Sequence, residues 1–225
     1  MEEPKEREFV LPGQVIVKSL DWLPGKNCYR DGDDIVAKRL GLVSIKNRVV
    51  SVIPFNTIYM PKADDMVIGK ILDIQSNGWI VDINTAYDAF LPLAGIKGYV
   101  DITKTDLSTI YDIGDIIYAK IERISKTSVY LSMKEVGCKK ITSGRIIAVN
   151  PAKIPRVIGK AGSMINVIKK ATDSKISIGQ NGFVWIEGGK EELVIKAIKL
   201  IEKEFYKEGL TDRVTQFLEE HAKKD

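Results

Sequence analysis

The chain is poor in the side chains that small catalytic and metal sites depend on. It has two cysteines and one histidine in 225 residues. Cys28 and Cys138 lie 110 positions apart and form no CxxC pair, which excludes a zinc ribbon. A reducing compartment disfavours a disulfide between them. His221 stands beside Glu219 and Glu220 near the C-terminus and reads as a solvated histidine. A histidine-based dyad or metal cluster needs more than this. No stretch approaches the ~20 apolar residues of a membrane span. The start, Met1-Glu2-Glu3-Pro4-Lys5-Glu6-Arg7-Glu8, is charged and lacks the apolar core of a signal peptide. The expectation is a cytoplasmic protein with no membrane partner, no metal and no cofactor.

What is present is a chain with real cores. Apolar residues make up 44%, too many for a disordered polypeptide. At ~150 residues per domain the length suggests one or two domains, and small β modules could make three. The net charge is only +4, but it is unevenly placed. Residues 1–61 net +1, residues 62–138 net −3, residues 139–210 net +7 and residues 211–225 net −1. One segment of the chain thus carries more than the whole excess, which points to a local anion-binding surface there.

The hydrophobic period changes along the chain. Up to Pro61 short strands alternate with turns: Val15 to Lys18, Asp34 to Leu40, Leu42 to Ile45 and Arg48 to Ile53. Leu23-Pro24-Gly25-Lys26-Asn27 and Arg30-Asp31-Gly32-Asp33-Asp34 supply the turn residues between them. This segment is too short for a large core, so it packs on the next module or docks elsewhere. Residues 62–135 predict five strands: Val67 to Ile74, Trp79 to Ile83, Ala89 to Leu93, Ile116 to Ile124 and Val129 to Met133. Trp79, Val81 and Ile83 share one face, and Asn77-Gly78 marks a hairpin turn. Five strands in this length match an OB-type Greek-key barrel.

From residue 139 the pattern becomes mixed. Ile141 to Val149 reads as a strand, and Met164, Ile165 and Ile168 recur at helical spacing. Lys175 to Ile178 and Phe183 to Ile186 read as a hairpin around Gly179-Gln180-Asn181-Gly182. Lys190 to Lys207 carries Leu193, Val194, Ala197, Ile198, Ile201 and Phe205 on one helical face. Thr211 to Ala222 predicts a last amphipathic helix with Val214, Phe217 and Leu218 inward.

The sharpest constellation is Pro155-Arg156-Val157-Ile158-Gly159-Lys160-Ala161-Gly162-Ser163-Met164-Ile165. Two glycines without Cβ atoms let a sugar-phosphate approach the main chain. The amides opening the next helix and its dipole attract the phosphate, and Lys160 adds a cation. Set between two short helices in the most basic segment, the run resembles the KH domain, whose GxxG loop clamps single-stranded RNA or DNA. The resemblance implies an RNA site at Arg156, Val157, Ile158, Gly159, Lys160, Ala161, Gly162, Ser163 and Ile165, with Val157, Ile158 and Ile165 lining a shallow groove for bases.

The middle segment resembles the S1 RNA-binding domain, an OB-fold. The likeness rests on Val67-Ile68-Gly69-Lys70-Ile71, Gly78-Trp79-Ile80-Val81-Asp82, Ala89-Phe90-Leu91-Pro92, Ile113-Gly114-Asp115-Ile116 and Val129-Tyr130-Leu131-Ser132-Met133-Lys134. It implies that Trp79 and Phe90 stack bases and that Lys70, Lys120 and Arg123 hold phosphates. Val129-Tyr130 stands where that family often has a basic residue before its final Leu-Ser. The acidic clusters Asp31-Asp33-Asp34, Asp64-Asp65 and Asp112-Asp115 read as turn and solvation residues, because no partner histidine or phosphate-handling loop accompanies them.

A short β head, one S1 module and one KH module in this order is similar to the RNA-binding cap subunit of the archaeal exosome that carries KH; the other cap subunit ends in a zinc ribbon, which the cysteine count argues against. Phe9-Val10-Leu11-Pro12-Gly13, Asp31-Gly32-Asp33-Asp34, Gly179-Gln180-Asn181-Gly182-Phe183-Val184-Trp185-Ile186 and Gly209-Leu210-Thr211-Asp212-Arg213-Val214 add to the likeness. The fold expected is multidomain, β plus α/β. It comprises a small N-terminal β module (1–61), an S1-type OB-fold β-barrel (62–135), a type I KH domain of β-α-α-β-β-α order (139–208), and a C-terminal helix and tail (209–225). The resemblance implies a non-catalytic subunit, three copies of which sit on a hexameric ring of RNase PH-like subunits. It would capture single-stranded RNA for 3′–5′ degradation, with the β head docking on the ring. A stand-alone S1/KH translation or transcription factor is the alternative.

Overall fold

The computed structural model describes residues 3–98, 105–126, 128–207 and 209–222. Part of the loop expected before Ile116 (99–104) and the end of the expected C-terminal tail (223–225) lie outside the described residues. The chain forms two compact units, Met1–Thr57 with Glu204–Glu208, and Ile58–Lys203 with Gly209–Asp225.

The first unit holds β1 (Phe9–Val10), β2 (Val15–Lys18), β3 (Leu23–Pro24), β4 (Cys28–Asp31), β5 (Asp34–Ala37), β6 (Gly41–Lys46) and β7 (Val49–Pro54). They make two small sheets, β1-β6-β7-β3 and β2-β5-β4. Val10, Ile35, Ala37, Val43, Val50 and Val52 fill a modest core. The strands β1, β3 and β4 were not legible, since two are two-residue bridges and β4 is a polar edge strand. Phe205 packs edge-on against Phe55, with ring centroids 5.1 Å apart, and Phe55 against Phe9 at 5.4 Å. The short segment 204–208 therefore belongs to this unit and not to the third module in which its sequence placed it.

In the second unit, β8 (Met66–Gln75), β9 (Gly78–Asp82), β10 (Ala89–Pro92), β11 (Ile116–Ile124) and β12 (Val129–Ser132) form the expected five-stranded barrel. The order is β12-β10-β9-β8-β11, and β12 also pairs with β11, closing it. Val67, Ile71, Trp79, Val81, Ile83, Leu91, Ile117, Ile121 and Leu131 point inward. The period-2 alternation of the sequence is what selects this face. A sixth strand, β13 (Lys139–Ile141), extends the sheet beside β11.

The chain then turns at Gly144 (φ +90°), where a Cβ would lie 2.8 Å from the Trp185 indole nitrogen. This break divides the single strand expected over 141–149 between two sheets. Next come β14 (Arg145–Ala148), α1 (Ile154–Ile158), α2 (Ser163–Thr172), β15 (Lys175–Ile178), β16 (Phe183–Glu187) and α3 (Glu191–Glu204). The antiparallel sheet β14-β16-β15 and the β-α-α-β-β-α order are those of a type I KH domain. A further helix, α4 (Leu210–Ala222), inserts Leu210, Val214 and Leu218 into the same core. The helix expected to reach Lys207 stops at Glu204, where Phe205 leaves for the first unit.

The barrel and the KH sheet meet around a buried side chain. On β8, β9 reaches only as far as Lys70, so Met66 to Gly69 have no strand on that side. The turn between β15 and β16 fills the gap. Gln180 N–H donates to Met66 O at 2.8 Å. Asn181, with 0% exposure, accepts from Ile68 N–H at 3.3 Å and donates to Ile68 O at 2.7 Å and Ile83 O at 3.0 Å. A side-chain amide thus substitutes for the missing strand's peptide group. The flanking glycines are required: a Cβ on Gly179 would collide with Asn181 Oδ1 and sit 2.9 Å from Ile68 N. Tyr118 Oη adds a bond to Ile178 O at 3.2 Å, and burial pushes its phenol up to about 12. Replacing Asn181 by Ala strips three buried backbone groups of this partner. At roughly 1–3 kcal/mol per orphaned group the cost is about 3 kcal/mol or more. Urea unfolding measures it, and a loss below about 0.5 kcal/mol would contradict this role.

Candidate nucleic-acid interface

The GxxG loop is built by three departures from helical geometry. α1 ends at Gly159 (φ +76°, ψ 173°), whose N–H donates to Pro155 O at 2.9 Å. Ala161 (φ +51°) and Gly162 (φ +79°) are left-handed, and α2 begins at Ser163. The glycines differ in purpose. A Cβ on Gly159 would lie 2.6 Å from Met164 N, so this glycine is needed for the loop to fold onto α2. A Cβ on Gly162 would meet nothing closer than 3.6 Å, so only the strain of its positive φ disfavours other residues there. Arg156, Lys160, Ala161 and Ser163 are exposed around the loop. The first amides of α2 present the positive end of its dipole there.

Two of the expected groove residues are corrected. Val157 is 0% exposed and Ile165 is 7% exposed, and both belong to the KH core. Helical spacing marks apolar residues as facing inward, and in a module this small nearly all of them are needed for packing. Ile158, half-buried, remains at the surface beside the loop.

The barrel face is corrected more strongly. Trp79 is completely buried, its indole N–H donates to Tyr111 O at 2.8 Å, and its ring meets Tyr111 edge-on at 5.2 Å. It cannot stack a base. The alternation that put Trp79 with Val81 and Ile83 already placed it inside. Lys120 is also engaged: its ammonium contacts Asp64 at 3.0 Å and Glu135 at 3.3 Å, and these bonds raise its pKa. Lys70 stays exposed, opposite Asp82 in register.

What the outer face does present is a row running across the strands. Ile80 pairs with Phe90, Phe90 with Tyr130, and Tyr130 with Arg123. The Phe90 and Tyr130 rings stand perpendicular with centroids 6.2 Å apart. The Arg123 guanidinium lies 3.9 Å over the Tyr130 ring. Two half-exposed aromatics topped by a cation offer stacking and a phosphate contact together. Tyr130 was not among the expected site residues, although its position between inward Val129 and Leu131 points it to this outer face.

The acidic clusters have local partners. Asp65 accepts from Tyr59 Oη at 2.7 Å, Asp64 pairs with Lys120, Asp34 with Lys18, and Asp115 with Lys140. Among the described residues no three His, Cys, Asp or Glu side chains converge as metal ligands.

Comparison with known proteins matches each part of the chain. Residues 9–46 match the model described as Exosome complex exonuclease RRP4 N-terminal region, residues 58–123 match RRP4, S1 domain, and residues 144–203 match KH domain. The chain is 40% identical over 221 residues to Exosome complex component Rrp4 of Thermococcus kodakarensis, covering 95% of this chain and 86% of that protein. It is 40% identical over 217 residues to Exosome complex component Rrp4 of Methanothermus fervidus, covering 95% and 96%. A solved structure described as that of a candidate exosome complex RNA-binding protein is 35% identical, with TM-score 0.66, over 74% of this chain and 98% of that one.

The burial of Trp79 separates stability from binding. Trp79→Phe removes a buried hydrogen bond and volume and should cost about 1–3 kcal/mol in thermal or urea unfolding. The RNA affinity of the folded variant, measured by anisotropy, should equal that of the parent chain. A tenfold loss of affinity at unchanged stability would restore Trp79 to the interface.

Proposed function

The chain belongs to the Rrp4 family of exosome components, and on that premise we propose that it is a non-catalytic RNA-binding subunit of an exosome. It captures single-stranded RNA and passes the 3′ end to a ring of RNase PH-like subunits, on which three copies sit, in the cytoplasm. The observation that carries the reading is the presence, within one compact unit, of a GxxG loop and an aromatic–cation row. The first suits a phosphate backbone and the second suits base faces. Both tolerate any sequence, as a subunit feeding a degradative enzyme requires.

The N-terminal unit is the part assigned to ring docking. Phe9 (51% exposed) pairs with Leu42, and Leu42 with Ile53 (50% exposed), giving an apolar row on the outside of one sheet. Leu20 and Leu23 are also well exposed. Apolar surface of this kind fits a protein partner better than a phosphate.

Two variants test the RNA reading. Lys160→Asp with Ala161→Asp reverses charge in the loop, and Asp tolerates the left-handed backbone at position 161. Affinity for single-stranded RNA should fall severalfold. Phe90→Ala with Tyr130→Ala should weaken binding tenfold or more, since stacking is worth about 1–3 kcal/mol per base. Unchanged affinity in both would overturn the assignment. Native mass measurement of the complex from source cells should find RNase PH-like subunits with three copies of this chain. Recovery with ribosomes or RNA polymerase alone would overturn the ring assignment.

A further inference from the structure

The excess positive charge of the KH segment does not all lie at the GxxG loop. Helix α3 sets Lys196, Lys199 and Lys203 on a single stripe, at spacings of three and four residues. All three are exposed. Their stripe lies opposite the face that carries Val194, Ala197, Ile198 and Ile201 into the core. At 1.5 Å rise per residue the three ammonium stems are spread along about 10 Å of helix.

The acids of the same helix do not neutralise this stripe. Glu202 turns to Asn150 N–H at 3.1 Å and to Lys153 at 3.7 Å. Glu191 accepts from Gly188 N–H at 3.1 Å, and Glu204 pairs with Lys207 at 3.0 Å. Glu192, at the N-terminal end of the stripe, makes no ion pair with Lys196 within 4.0 Å among the described residues. The helix dipole accounts for a cation in the last turn, Lys203, but not for Lys196 and Lys199 in the middle. Three like charges held side by side repel one another, and an extended polyanion relieves that repulsion.

We propose that the exposed α3 stripe Lys196–Lys199–Lys203 is a second contact for the RNA backbone, separate from the GxxG loop. The proposal rests on the reading that the chain binds single-stranded RNA and gives a longer strand a further point of contact. The contact is electrostatic and sequence-independent. It adds little for an oligonucleotide that only fills the loop and more for one long enough to reach both places.

The test uses the full chain and the triple variant Lys196→Gln, Lys199→Gln, Lys203→Gln. These are solvent-facing helix positions at which Gln has a helix propensity close to that of Lys, so the fold is kept. Binding is measured by anisotropy across a salt series with two unstructured RNAs, of about 6 and about 30 nucleotides. For the long RNA the slope of log affinity against log salt should flatten by about 2, from three phosphate contacts at about 0.7 each. Affinity for the short RNA should stay within twofold. An unchanged long-RNA slope, or equal losses on both RNAs, overturns the second contact while leaving the RNA-binding reading intact. Failure of the parent chain to bind either RNA overturns that reading itself.

Discussion

The carboxamide of Asn181 does the work of a strand. It pairs with both the N–H and the C=O of Ile68 where β9 has run out, and it reaches Ile83 O as well. Buried polar groups are stabilising only when every partner is present, so this contact admits one geometry. The glycines beside it follow from it, because neither a Cβ on Gly179 nor an ordinary backbone at Gly182 (φ +93°) fits the turn. Since the turn joins β15 to β16 and the peptide groups belong to β8 and to Ile83 just after β9, the bond ties the KH sheet to the barrel. The positions of the GxxG loop and the aromatic row relative to each other depend on it.

That arrangement divides the chemistry of binding. The barrel segment is net acidic, and one of its lysines, Lys120, is held by Asp64 and Glu135. What it offers a strand is the short-range surface of Phe90 and Tyr130 under Arg123. The KH segment, net +7, supplies the long-range field. A small total charge of +4 is therefore compatible with strong local attraction, and the N-terminal unit, net +1 over residues 1–61, presents apolar side chains instead.

Much of this was legible in the sequence, for reasons that also explain the failures. Period-2 alternation identified the five barrel strands and put Trp79, Val81 and Ile83 on one face. Assigning Trp79 to base stacking followed the S1 resemblance and set that alternation aside. The same alternation points to Tyr130, whose inward neighbours Val129 and Leu131 leave it no other direction. Helical spacing found α2 and α3 but could not separate groove from core at Val157 and Ile165. Asn181 could be read only as a turn residue, because its partners lie 113 and 98 positions away. The departure of Phe205 from helix α3 was equally invisible, since its edge-on packing against Phe55 is a contact across most of the chain. Local pattern encodes burial and element type, whereas tertiary pairing of single side chains leaves no periodic trace.

The central claim is that barrel and KH sheet form one body through the Asn181 turn. Amide hydrogen exchange of the free chain tests it most directly. Ile68 N–H and Gln180 N–H, which lie in the seam, should exchange as slowly as Ile121 N–H in the barrel and the core amides of β16, all opening with a single global free energy. Exchange of the two seam amides several orders of magnitude faster than those core amides would show that the modules part while each stays folded, and would contradict the account.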